Sequence, residues 1–436
     1  MRAMRTMLMV GIAALAVIGF SPVFAFHAGG VAECIGCHSM HQATGTPLLA
    51  KVDSSSTCLA CHEVPGLVTP SSFRISTAAA DMPTGIPPAQ LTPGGDFGWV
   101  KKTYTYTLRG TPTTDYGYTH GHNIVAADYG YVADPVNTTA PGGTMNSNEL
   151  GCVSCHDPHS RNRRLNDGSV IQPSTLPGQT YAPIFSSGSY NTSPIPPAGL
   201  AVGVYRLLGG LNYVPFDAQA FPGVPAAVTP STYNRSEATT QTRTAYGWGT
   251  NPYTSWGAWC GTCHTDMHVG SNIHPTDQTL STGIVANYNA YLMTGNLMGT
   301  PTTSFSSLVP FAEGTSTFGT LAAHALNNDL YLNGPTAGTD RVTCLSCHRA
   351  HASAWEYSLR WNPEHEFLTM ADSTGVAAYP AYNQVGTTPS GSNLSAQPQV
   401  SRGYSVAEMT AAYYQRPATK FAPYQRQLCN KCHIQD

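Results

Sequence analysis

The stretch CIGCHSMH, residues 34–41, carries the reading of the whole chain. Its first five residues form a Cys-x-x-Cys-His unit. The unit returns as CLACH at 58–62, CVSCH at 152–156, CGTCH at 260–264, CLSCH at 344–348 and CNKCH at 429–433, and the six copies use all 12 cysteines. Such a unit is the attachment signature of c-type haem, whose two vinyl groups take the thiols while the adjoining histidine ligates the iron. Six covalently attached haem c groups are therefore expected. The thioether residues would be Cys34, Cys37, Cys58, Cys61, Cys152, Cys155, Cys260, Cys263, Cys344, Cys347, Cys429 and Cys432, and the proximal ligands His38, His62, His156, His264, His348 and His433.

A zinc site would need two such units to share a metal. Successive first cysteines lie 24, 94, 108, 84 and 85 residues apart, and that spacing shows no pairing. With no cysteine to spare, structural disulfides are excluded by the same count.

Residues 1–25 read as a secretory signal, with Arg2 and Arg5 ahead of an apolar run from Met7 to Phe20 and Val23-Phe24-Ala25 as a cleavage site. The run is shorter than the roughly 20 residues a spanning helix needs, and no other stretch is apolar enough to cross a membrane. Residues 26–436 are expected to form a single hexahaem domain, secreted to the extracellular space or outer cell surface. Removing Arg2 and Arg5 from 21 basic and 24 acidic residues leaves a net charge of −5. Haem propionates would carry this to about −11 oxidised and −17 reduced, which argues against nucleic acid as a partner.

Only 10% of residues are charged, and Gly (42) and Pro (33) are abundant. The composition predicts mostly irregular loops and turns with a few short helices and minimal strand, wrapped around a stacked array of six haems that supply the apolar core. Three places carry local signals. Ile284, Val285, Tyr288, Tyr291 and Leu292 recur at helical spacing between Gly283 and Gly295. Ser405 and Glu408 form a capping box before a helix through Arg416, and Val100 to Leu108 alternates as a strand.

Each iron needs a far ligand. Ten histidines remain after the proximal six, while methionines stand in no regular relation to the motifs. His41, His159 and His351 each follow a motif histidine by three residues, too close to reach the opposite face of their own haem. Each must serve a neighbouring haem. His122 follows His62 by 60 residues and His324 follows His264 by 60, which predicts that these two serve the even haems. For the remaining iron, His274 is preferred because Pro275 fixes a turn there. His268 is the alternate, and His27 and His365 are less favoured.

Beyond the motifs, FHAGGVAEC (26–34), TPGGDFGWVKKTYT (92–105), GHNIVAADYGYVAD (121–134), PSTYNRSEATTQTR (230–243) and EMTAAYYQRPATKFAPYQRQLCNKCH (408–433) closely resemble the OmcS-type hexahaem cytochromes. These polymerise into extracellular nanowires of metal-reducing bacteria. The resemblance implies bis-histidine haems in a continuous stack of alternating parallel and T-shaped pairs. It further implies that His41 is lent to the fifth haem of a neighbouring protomer. If the other two odd-motif histidines also reach back two haems, His351 serves the third and His159 the first. His120 and His365 depart from the family pattern and stay outside the ligand set.

The function so implied is long-range extracellular electron transfer along a self-assembled filament, not catalysis. Partners would be further copies of the chain, other outer-surface or periplasmic cytochromes, and extracellular Fe(III) or Mn(IV) oxides or partner cells. A monomeric carrier and a multihaem oxyanion reductase are the competing readings. The reductase needs an iron with an open position, and all six motifs end in His.

Overall fold

The computed structural model describes residues 34–71, 73–108, 111–159, 161–171, 182–215, 219–250, 253–268, 274–364, 366–380 and 402–433. The signal segment and His27 lie outside them, as do His365 and the side chain of His268. Regular elements are short. The longest helices, Ser54–His62 and Thr282–Ala290, have nine residues each. None of the described helices is long and apolar enough to cross a membrane.

Local chemistry explains where these elements begin. Asp53 accepts from the Ser56 amide to start one helix, and Ser281 accepts from Ile284 to start another. Gly283 therefore sits inside that helix and not at its edge. Ser405 and Glu408 form the expected capping box, but the helix Val406–Ala412 ends four residues before Arg416. Tyr414 and Gln415 have φ of 60° and 59°, a left-handed step that stops the helix before Pro417 acts.

The alternating stretch is a strand only from Tyr104 to Leu108. It pairs antiparallel with Thr111–Asp115, in a register that sets Tyr104 opposite Asp115. Val100 belongs instead to a 3-10 turn, Phe97–Lys101, which starts where Asp96 accepts from the Gly98 amide. Elsewhere strands of two or three residues form small sheets, the largest a four-stranded one joining Arg163–Arg164, Val170–Ile171, Ile184–Ser186 and Ala201–Gly203.

Aromatic rings fill the largest protein core. Tyr104 stacks on Tyr404 at 3.9 Å between centroids, Trp355 lies 5.2 Å from Tyr404, and Tyr379 stacks on Tyr413 at 5.4 Å. A buried polar cluster ties this core together. His120 is fully buried, with one ring nitrogen 2.9 Å from Asp115 Oδ1 and the other 3.2 Å from the Trp99 carbonyl. Burial works to raise the Asp115 carboxyl. The His120 hydrogen bond and the Arg402 guanidinium outweigh it and hold the group below the usual carboxylate range.

With both nitrogens engaged, His120 is a structural residue, consistent with its omission from the ligand set. His120→Ala should leave the visible spectrum of the loaded protein unchanged while costing about 2–3 kcal/mol of stability, for lost hydrogen bonds and a new cavity. Thermal and denaturant melts followed at the Soret band check this. A variant as stable as the parent would contradict it.

Candidate functional site

The six motifs follow one another in space as they do along the chain. A hydrogen bond from Cys152, then burial, pushes the Cys58 thiol up, joining the second and third motifs. A hydrogen bond between Cys260 and Cys344 joins the fourth and fifth in the same way. Burial raises Cys37, with Cys61 adding to it. Burial likewise takes Cys155 to about 12, helped by Cys263, and Cys347 to about 12, helped by Cys432. Each motif thus has the next as its neighbour, and no disulfide joins any of the twelve cysteines.

Five of the six proximal rings are oriented by one repeated device. His38 Nδ1 lies 3.1 Å from the Pro47 carbonyl, His62 2.5 Å from Phe73, His156 2.7 Å from Arg206, His264 2.8 Å from Pro141 and His348 2.7 Å from Tyr357. A carbonyl can only accept, so Nδ1 must carry the proton and donate. Nε2 keeps its lone pair for a metal.

Around the three odd motifs the device expands into an identical clasp. The residue after the histidine donates its amide to the next carbonyl along: Ser39 to Leu48, Asp157 to Leu207, Arg349 to Ser358. The residue two further on donates back to the second cysteine: Ala50 to Cys37, Gly209 to Cys155, Arg360 to Cys347. The turn requires a left-handed residue, supplied by Leu48 (φ 60°), Leu207 (φ 51°) and Ser358 (φ 57°). PLLA (47–50), RLLG (206–209) and YSLR (357–360) share a leucine at their third position, the one mark of the clasp in the sequence.

Four pairs of histidines face each other. His38 and His159 have ring centroids 6.4 Å apart, His156 and His351 6.4 Å, His264 and His122 6.1 Å, and His433 and His274 6.1 Å. Two imidazoles bonded through Nε2 to one iron, at about 2.0 Å each, place their ring centres roughly 6.3 Å apart. The pairs therefore fit an iron between them. Burial takes His122 down to about 4 and His351 to about 3, so both rings are neutral at pH 7.

His159 thus stands across the first motif, His351 across the third and His274 across the sixth. The rule drawn for the even motifs fails. His122 faces His264, not His62, because its amide and Nδ1 donate to the carbonyls of His351 and Ala350, which tie it to the segment after the fifth motif. His324 faces no motif histidine. Its ring stacks on Tyr331 at 4.0 Å, and its Nδ1 sits 2.6 Å from Glu313, a carboxylate also held by Arg243. The two 60-residue intervals are a coincidence.

The bed under His351 is built by glycine. A Cβ on Gly94 would come within 2.9 Å of the His351 ring, and one on Gly95 (φ +93°) within 1.7 Å of the Ala352 carbonyl. Phe97 then stacks on the ring at 4.6 Å. This explains the TPGGDF stretch in physical terms.

His348 has no histidine ring opposite it among the described residues. His41 is exposed, as are Met40 (73%) and Ile35 (79%) in the same stretch. Haem also brings two carboxylates, and buried guanidinium nitrogens without a hydrogen-bond partner occur at Arg74 and Arg206. Arg74 follows the carbonyl that holds His62, and Arg206 is the residue that holds His156. Thiols, paired rings and unpaired guanidinium groups all fit haem c.

The ring planes of the pairs differ, at 7° for His38 and His159 but 69° for His274 and His433. Near-parallel imidazoles donate into one iron orbital and near-perpendicular ones into two, so the ferric spectra must differ. Low-temperature electron paramagnetic resonance should show a rhombic signal lost in His159→Ala and a strongly anisotropic one lost in His274→Ala. One common signal would contradict the geometry.

No family model matches the chain. The C-type cytochrome OmcS of Geobacter sulfurreducens (strain ATCC 51573 / DSM 12127 / PCA) is 50% identical over 452 residues, covering 98% of this chain and 98% of the relative. The cryo-EM structure of OmcS nanowires from the same species superposes with a TM-score of 0.82 at 49% identity, over 94% of this chain and 100% of that one. An Outer Membrane Cytochrome S filament gives 0.80 at 47% identity, with the same coverage.

Proposed function

The chain belongs to the OmcS family of c-type cytochromes, and on that premise we propose that it carries electrons outside the cell along a filament of its own copies. One observation carries this reading: the six motifs are neighbours in strict chain order, the first and last lying near opposite ends of residues 26–436. Haem, when bound, supplies a one-electron carrier at each motif. The chain's own residues fix where each iron sits, hold both of its axial positions and keep water and substrate from them. Such a site moves electrons and has no position at which to activate an oxyanion.

In the proposed ligand set His159 serves the first haem, His351 the third, His122 the fourth and His274 the sixth. The fifth, proximal to His348, takes His41 of a neighbouring copy. The exposure of His41, in the same stretch as Ile35 and Met40, supports this, as does the lack of a histidine ring opposite His348 among the described residues. A head-to-tail contact that does not close grows into a filament. For the second haem there remain His27, His268 and His365, whose side chains lie outside the described residues. Residues 1–25 act as the export signal and 26–436 as one domain. Other cytochromes, metal oxides and partner cells are the expected exchange partners.

His41→Ala should yield a secreted chain with all six haems that assembles poorly and gains roughly one high-spin haem. Near-infrared magnetic circular dichroism counts the spin states, and electron microscopy shows filament or monomer. Normal filaments with every haem low-spin would refute the shared ligand and favour the monomeric carrier.

A further inference from the structure

Arg206 is held in an unusual way. Its backbone is left-handed at φ 51°, a conformation that a residue with a Cβ adopts only against steric repulsion. The carbonyl so turned accepts the His156 Nδ1 proton at 2.7 Å. Its side chain is enclosed by aromatic rings, the guanidinium carbon 4.0 Å from the centre of Tyr233 and 5.0 Å from that of Tyr190, with Nη1 3.2 Å from Tyr190 Oη.

Nη2 is buried and has no hydrogen-bond partner. Several enclosed arginines meet acidic groups, Arg243 with Glu313, Arg416 with Glu237, and Arg402 with Glu356 and Glu364, while Arg349 lies over the Tyr414 ring. No carboxylate among the described residues lies within ion-pair distance of Arg206. A guanidinium so desolvated costs several kcal/mol unless an anion meets it. The anion is to be found at the third motif, because Arg206 touches His156 through its carbonyl and its charge is felt at His351, the ring opposite.

We propose that Arg206 takes an ionised propionate of the haem attached at Cys152 and Cys155 on its free Nη2, and that this pairing makes the third haem easier to reduce. The inference rests on the bis-histidine reading of that site. Pairing neutralises a negative charge close to the iron, which favours the ferrous form. Removal of the arginine exposes that charge and favours the ferric form. The residue thus both aims the proximal ring and tunes the electron affinity of one haem in the array.

The test is a spectroelectrochemical titration of the secreted, six-haem protein and its Arg206→Gln variant. One of six one-electron waves should move to lower potential, by about a tenfold change in its reduced-to-oxidised ratio, or ~59 mV, while five stay in place. Arg206→Lys, which keeps the charge but loses the fork, should move the same wave about threefold in the same direction. If the glutamine variant is not recovered with six haems, the lysine variant decides.

Unmoved waves, or an equal drift of all six, would overturn the proposal. Near-infrared magnetic circular dichroism of the parent tests the bis-histidine reading separately. A high-spin third haem there would defeat that reading, whereas unmoved waves with every haem low-spin would defeat only the role of Arg206.

Discussion

A proton on Nδ1, given to a backbone carbonyl, is the constraint from which the rest of this structure follows. It selects the tautomer, fixes the plane of the ring and leaves Nε2 as the metal-facing nitrogen. The five carbonyls that receive it, at Pro47, Phe73, Pro141, Arg206 and Tyr357, come from separate loops. Those loops must therefore be brought over the motifs and held there, and the long Pro- and Gly-rich inserts are the means. Short helices and two-residue strands suffice, because loop backbone is stabilised by the motif it clasps.

The motifs, the loop-rich architecture, the Ser405 capping box and the choice of His159, His351 and His274, whose rings face motif histidines, were legible in the chain. They depend on neighbours within a few residues, or on a small number of histidines left once the proximal six are set aside. The ligand pairing of His122 was not, because it is set by hydrogen bonds to Ala350 and His351, 228 and 229 positions away. The clasp was hidden for another reason. Leu48, Leu207 and Ser358 occupy a conformation usually marked by glycine or asparagine, and tertiary contacts hold them there without the customary residue.

Charge is sparse in this chain, and the structure concentrates it indoors. Arg243, Arg349, Arg360, Arg402 and Arg416 are all less than 5% exposed, an arrangement that ordinary domains avoid. Aromatic faces and carbonyls receive much of this charge, as where Arg349 lies 3.7 Å from the Tyr414 ring centre and Lys431 donates to the Tyr288 and Tyr291 carbonyls. A protein that gathers a dozen propionates needs such internal cations, and needs fewer on its surface.

The direction in which the far ligands reach has a consequence for how the molecule is made. His122 precedes the motif it faces, and so does His274, whereas His159 and His351 each come after the motif they serve. In a chain that leaves the membrane N-terminus first, the fourth and sixth irons meet a waiting ligand as soon as their motifs emerge. The first and third stay half-ligated until the chain two motifs later has followed. On the proposed ligand set the polypeptide thus carries a timetable of its own completion, in which the first and third irons are finished only by later synthesis and the fifth only by the arrival of another molecule.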